Sequence, residues 1–274
     1  MSTARSVLVG ACGLLLLSGC VGATKATTVG TAAPARTATA SASPSATESA
    51  SVIAFRQAVK SYGQALEATA PATVREGLKL TAPDSVAYRY LEHIASLSEV
   101  YVEPQTSDPA PAALPDGEDG FKFCTIPSND FSCTTYGDFT VNQDGKLVDF
   151  TINKQPVGPH LTVVSGQPVT VGAVKFTLMS AYRSIESNVL VVSVKVDSGA
   201  EAITTNPKLW SYRGPDGKLV APMGSSGATY VIARSHATVG INMGSAKTGG
   251  YLTVSGCPSK DCPNGSFSGV LKVG

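Results

Sequence analysis

At Phe121 the apolar period of this chain changes, and that change limits the fold more than any other feature. Before it, Val52, Phe55, Val59, Tyr62 and Leu66 recur at three- and four-residue spacings, one stripe of a helix. Pro71 breaks the stripe and opens a second, short helix through about Lys79. Thr81, Pro83 and Asp84 have the form of a helix start, with Thr at the cap, Pro in the first turn and an acid three residues on. Val86, Tyr90, Ile94 and Leu97 then form the stripe of a third helix. Residues 108–120, rich in Pro, Asp and Gly, read as loop. From Phe121 the period is two. Phe121 and Phe123 alternate, residues 138–141 read as another strand, and Asp144-Gly145 is a hairpin turn. Val148, Phe150 and Ile152 point opposite to Leu147, Asp149 and Thr151. Helices followed by a short antiparallel sheet predict an α+β domain over residues 52–157.

Residues 156–159 mark a boundary, and from 158 to 274 the chain reads as strand alone. Val169, Val171 and Ala173 lead into Val174, Phe176 and Leu178 with a phase slip or bulge near Gly172. Leu190, Val192, Val194 and Val196 alternate cleanly. Pro215-Asp216-Gly217 is a turn. Residues 230–232, 239–243, 251–254 and 267–273 supply further strands. Seven to nine short strands punctuated by turns predict an all-β sandwich.

The N-terminus speaks to location. Arg5 is the only charge in the first twenty residues, and residues 7–17 are an apolar run. A helix of that length rises roughly 16 Å, about half a bilayer core, so it is too short for a permanent span and suits an export signal. The run ends in Leu17-Ser18-Gly19-Cys20, which looks like a bacterial lipobox. That resemblance implies a lipoprotein signal over residues 1–20 that is cut before Cys20, lipidation of the Cys20 thiol, and anchorage to the outer face of the cell membrane. Residues 21–50 are Ala, Thr, Ser and Pro with no large apolar residue but Val. Such a segment cannot bury enough surface to offset its ordering entropy, and it is expected to be a disordered tether spanning about 30 Å.

Of six cysteines, Cys12 lies in the expected signal and Cys20 is the lipid site. Cys124, Cys133, Cys257 and Cys262 remain, an even number that argues for disulfides in an exported protein. Three pairings are possible. The local one, Cys124–Cys133 with Cys257–Cys262, is favoured because each pair staples one turn within one expected domain. The spacings match neither a zinc knuckle nor a C-x-x-C redox pair.

The formal net charge is +1, from 21 Lys and Arg against 20 Asp and Glu. That balance excludes a strongly basic nucleic-acid binder. His93, His160 and His236 share no metal-ligand spacing, and neither a G-x-S-x-G elbow nor a phosphate-binding glycine loop is present. Asp138, Asp144 and Asp149 crowd one hairpin, where the turn and a solvated strand face account for them. Trp210 and Tyr212 read as sandwich core, and residues 224–227 as a loop.

The helix order, the start T-A-P-D-S-V-A-Y and the stretch FCTIPSNDFSCTTYGDF…DGKLVDFTINKQPV resemble secreted actinobacterial lipoproteins of the nuclear-transport-factor-two-like type. The resemblance implies a cone closed by helices over a curved sheet. VTVGAVKFTLMSAY, LVVSVKVDSGAEAI and SYRGPDGKLV look like the immunoglobulin-like domains of exported bacterial lipoproteins. Neither resemblance brings a catalytic motif or a cofactor. The expectation is a lipid-anchored envelope protein with a non-catalytic binding role, its partner an envelope protein or a small ligand. The alternative is small-molecule capture inside the cone, lined by Tyr62, Tyr90, His93 and Ile94, and an enzyme ranks below both.

Overall fold

The computed structural model describes residues 49–274 apart from 101–111, 114–119, 126–131, 163, 165–166 and 259–266. Helices α1 (Ala50–Glu67), α2 (Pro71–Glu76) and α3 (Val86–Ser98) come first, with a 3-10 turn over Gly77–Leu80. The strands of the first sheet follow: β1 (Ala112–Ala113), β2 (Phe121–Thr125), β3 (Ser132–Val141), β4 (Leu147–Ile152) and β5 (Gln155–Pro156), antiparallel and in that order. Among the described residues, everything regular after the 3-10 turn Gly158–His160 is strand, save one more 3-10 turn at Pro207–Leu209. These strands are β6 (Val169–Val171), β7 (Val174–Arg183), β8 (Leu190–Asp197), β9 (Ile203–Thr205), β10 (Ser211–Arg213), β11 (Leu219–Val220), β12 (Gly224–Gly227), β13 (Tyr230–Val231), β14 (His236–Asn242), β15 (Gly250–Cys257) and β16 (Phe267–Val273). The protein is therefore mostly β, with few helices.

Local chemistry explains most boundaries, and it moves one of them. The cap of α3 is Ser85, whose Oγ accepts from Tyr88 N–H at 3.1 Å. Thr81, the expected cap, instead donates its hydroxyl back to Leu78 O at 2.8 Å and closes the preceding turn. Asp84 has φ +61°, a left-handed geometry through which no α-helix runs. The β3–β4 turn forms as expected: Gly145 takes φ +73°, and Asn142 Oδ1 accepts from Asp144 N–H and Lys146 N–H at 3.0 and 2.9 Å. The alternation in β4 holds for Phe150 and Ile152 but fails for Leu147, which is fully buried. The register passes from Thr140↔Asp149 to Val141↔Leu147, so Val148 faces no partner and the phase of the strand slips there. Within the expected loop 108–120, β1 pairs with β2.

The later strands form two antiparallel sheets, β12-β14-β8-β7-β6 and β11-β10-β15-β9-β13 with β16 on the free side of β15. Their inner faces share one core. It contains the alternating Leu190, Val192, Val194 and Val196, all at zero exposure, together with Trp210 and Tyr212. Trp210 Nε1–H donates to Ser255 O at 2.8 Å, which satisfies the indole inside that core. Eleven described strands exceed the seven to nine expected, because β9 to β12 are too short to show a period. Residues 224–227 are strand, not loop; they pair with β14 over four residues.

Gly172 is not a bulge. It takes φ +61° in a two-residue hairpin turn that sets Val171 opposite Val174. The bulge lies between Leu178 and Ser180, where the β7–β8 register shifts by one. Val174, Phe176 and Leu178 point into the sheet–sheet core; past the bulge Ala181 does, and Ser180 and Tyr182 turn to the other face. That reversal matters because α3 lies on that other face. All described elements belong to one compact unit, Thr47–Gly274. It holds two cores, and α3 and Tyr182 join them.

Candidate functional site

Of the four residues expected to line a pocket, Tyr62, Tyr90 and His93 are buried and Ile94 is half-buried. Tyr62 and Tyr90 are 0% and 5% exposed and lie in a cluster of rings with Phe121, Tyr136, Phe139 and Phe150. Tyr90 sits edge-on to Phe150 at 5.3 Å and to Tyr182 at 5.2 Å. Tyr62 O–H donates to Ala87 O at 2.9 Å, and the Tyr90 and Tyr136 hydroxyls lie 3.3 Å apart. Burial first, and the neighbouring phenols second, push both Tyr62 and Tyr90 well above the ordinary phenol range. Neither offers a phenolate near neutral pH. Ile94 is half-buried against the same cluster. These side chains fill the interior rather than face open space.

His93, one turn along α3 from Tyr90, shares the Tyr182 ring with it and faces the sheet that contains β7 and β8. Its Nδ1 lies 2.8 Å from Ser180 Oγ. Ser96, one turn along the helix, lies 2.8 Å from Ser180 Oγ and 2.7 Å from Ser193 Oγ, and the last two are 2.8 Å apart. Three hydroxyls thus form a closed triangle, with the imidazole on one corner. Ser96 donates its proton to His93 O at 2.8 Å. With a neutral ring whose Nδ1 accepts from Ser180, Ser193 is left to donate within the triangle, so each of the three hydroxyl protons has an acceptor. Burial alone pushes the His93 imidazole down to about 3. With His93 at 1% and Ser193 at 0% exposure, the site is sealed. It has the make-up of a nucleophile–base pair, but it holds a helix on a sheet and presents nothing to a substrate.

A second polar bridge closes the end of the same helix. Glu99 pairs with Arg75 of α2, and its Oε2 accepts from Thr238 Oγ1 of β14 at 2.8 Å. Burial raises the Glu99 carboxyl, but the bonds from Arg75 and Thr238 outweigh it and leave the group below its usual range. The other histidines are scattered. His160 Nδ1–H donates to Arg183 O at 3.0 Å, and His236 is the exposed first residue of β14. Asp138 accepts from Thr151 Oγ1 at 2.8 Å and Asp149 from Phe150 N–H at 2.8 Å. Among the described residues, no group of three or more His, Cys, Asp or Glu is placed to hold a metal.

Cys124 and Cys133 are directly opposite in β2 and β3 and form a disulfide. Cys257 is also disulfide-bonded, and Cys262 lies outside the described residues, as do Cys20, the expected signal and residues 21–48 of the expected tether, whose last residue, Ala50, instead opens α1. Replacing Cys124 and Cys133 together by Ser should lower stability by about 2–3 kcal/mol, the entropy of closing so short a loop, as read by urea unfolding under oxidising conditions. No described helix is long and apolar enough to cross a membrane.

Two clefts lie away from these features. One of about 370 Å³ opens between Gly172, Ala173, Glu201 and Phe267 and is largely apolar. The other, about 430 Å³, lies beside the β10–β11 hairpin between Lys218, Leu219, Met223 and Lys247. Sequence reasoning missed Ser96, Ser180 and Ser193, although a serine inside the apolar run Leu190-Val191-Val192-Ser193-Val194 was the signal available. Compared with known protein families, with curated proteins and with solved structures, the chain matches none.

Proposed function

We propose that this is a lipid-anchored protein of the outer face of the cell membrane, whose folded part binds an envelope component and catalyses nothing. The observation that carries the reading is Leu17-Ser18-Gly19-Cys20 directly after an eleven-residue apolar run, followed by a thirty-residue segment without large apolar side chains other than Val. In this reading the helices and first sheet are a nuclear-transport-factor-two-like cone. The two later sheets are an immunoglobulin-like sandwich. The Cys124–Cys133 disulfide supports an oxidising compartment. The use of His93, the serines and the interior tyrosines in packing favours binding at the surface over capture or chemistry inside.

The test is detergent partition. The full chain, produced in a bacterial host fed an alkyne fatty acid, should carry the label and enter the detergent phase of a Triton X-114 split. The Cys20→Ala variant should lose both. An unlabelled wild-type chain in the aqueous phase would remove the anchored reading.

A further inference from the structure

The overall charge balance conceals a segregation. Residues 51–157 carry 8 Lys and Arg against 14 Asp and Glu, whereas residues 158–274 carry 10 against 5. The strand register collects part of that positive charge on the outer face of one sheet. Leu219, Arg213, Tyr251 and Lys272 are successive partners across β11, β10, β15 and β16, so their side chains form one row on one face. All four are exposed, Tyr251 by 51% and Leu219 by 58%. The next row on that face holds Ser211, Thr253 and Val270. Neither row contains an acid, and Asp216, the one acid of the β10–β11 hairpin, is turned to Lys218 N–H at 3.0 Å. Among the described residues, Arg213 and Lys272 have no ion-pair partner.

We infer that this sheet face binds an anionic polysaccharide. The inference rests on the envelope-binding reading above and names its partner class. Tyr251 offers a ring face for stacking on the apolar side of a sugar. Arg213 and Lys272 flank it from β10 and β16, one strand to each side, with backbones about 10 Å apart. The Arg213 guanidinium rests on Gly217 O at 3.0 Å through one nitrogen and keeps its other N–H groups for a ligand. This arrangement suits one acidic group on each side of a stacked residue in a polymer of disaccharide repeats. Ser211 and Thr253 supply hydroxyls to the sugar's own. Rows of paired residues make an open face rather than a groove, which fits an extended chain of sugars. The formal excess of five positive charges on residues 158–274 adds a field of the matching sign. An acidic protein would satisfy the charges but would leave the ring platform and the hydroxyl row without a role.

The experiment is affinity electrophoresis of the full chain in gels containing hyaluronate, whose repeat is a disaccharide with one carboxylate, with neutral dextran and poly-glutamate as comparisons. Hyaluronate should retard the protein and dextran should not. Arg213→Gln with Lys272→Gln should weaken retardation at least tenfold, and Tyr251→Ala at least fivefold. All three side chains are exposed, so melting temperatures should stay within a degree or two of wild type, which separates lost binding from lost folding. Equal retardation by poly-glutamate that ignores Tyr251→Ala would mean an acidic protein partner and would overturn the inference. So would absence of retardation by hyaluronate, or retardation unchanged in the variants. The anchor is read separately. Glycan binding without detergent partition would remove the anchored reading, and partition without glycan binding would remove only this one.

Discussion

Replacing Phe150 by alanine should destabilise the protein by about 3–5 kcal/mol. Phe150 is 1% exposed and sits at the centre of the ring cluster. Tyr62 and Tyr90 meet it edge-on at 5.7 and 5.3 Å, and Phe139 and Tyr136 stack on it at 5.3 and 6.1 Å. These rings come from α1, α3, β3 and β4, so no single element can move to close the void. Each ring would also lose an aromatic contact worth about 0.5–1.5 kcal/mol beyond its buried area. Phe150→Leu should recover more than half of the loss. Phe123→Ala, at the half-buried rim of the cluster, should cost clearly less than Phe150→Ala. Urea unfolding of the three variants measures the order, and a loss below about 1.5 kcal/mol for Phe150→Ala would show that the cluster collapses freely.

Acid should weaken the protein through His93. The folded state holds this imidazole neutral down to about 3, whereas the unfolded chain takes up a proton near 6.5. The unfolded state thus binds more protons throughout that window. The contribution of His93 is complete above pH 6.5 and is lost as pH falls toward 3. The slope approaches about 1.4 kcal/mol per pH unit once the unfolded histidine is fully charged. Glu99, also held below its usual range, adds loss of the same sign at lower pH. His93→Gln keeps a neutral hydrogen-bonding side chain and removes the titration. It should be less stable than wild type at pH 7, and the gap should narrow or reverse at pH 4.5. Thermal melts of both proteins from pH 7.5 to 4 give the answer, and parallel curves would show that His93 is not the titrating group.

Much of the backbone was legible because its causes are local. The stripe ending in Tyr62 and Leu66 forms α1, Pro71 opens α2, and Asn142 with Gly145 turns β3 into β4. Leu190 to Val196 alternates because one face of β8 lies on the core. The misplaced start of α3 was also a local matter: two capping side chains, Thr81 and Ser85, stand four residues apart, and only the positive φ of Asp84 decides between them. By contrast, nothing near Ser180 announces a bulge, since no glycine or proline marks it.

The candidate sites divide the same way. The expected grouping of Tyr62, Tyr90 and Ile94 is found, but as a filled core. His93 could not be read, because its partner Ser180 lies 87 residues away on a strand of the other core. Arg213, Tyr251 and Lys272 carry no motif, and they align only once two hairpins set the register.

By itself, then, the sequence determined where helix gives way to strand, where the β3–β4 turn falls and which face of β8 is apolar, since each depends on residues a few positions apart. The tertiary structure alone decided that α3 is buried on both sides, that a one-residue bulge aims Ser180 and Tyr182 at it, and that two cations flank Tyr251. Those outcomes depend on pairing between segments far apart in the chain, and shifting a strand by one residue would turn every one of these side chains to the other face.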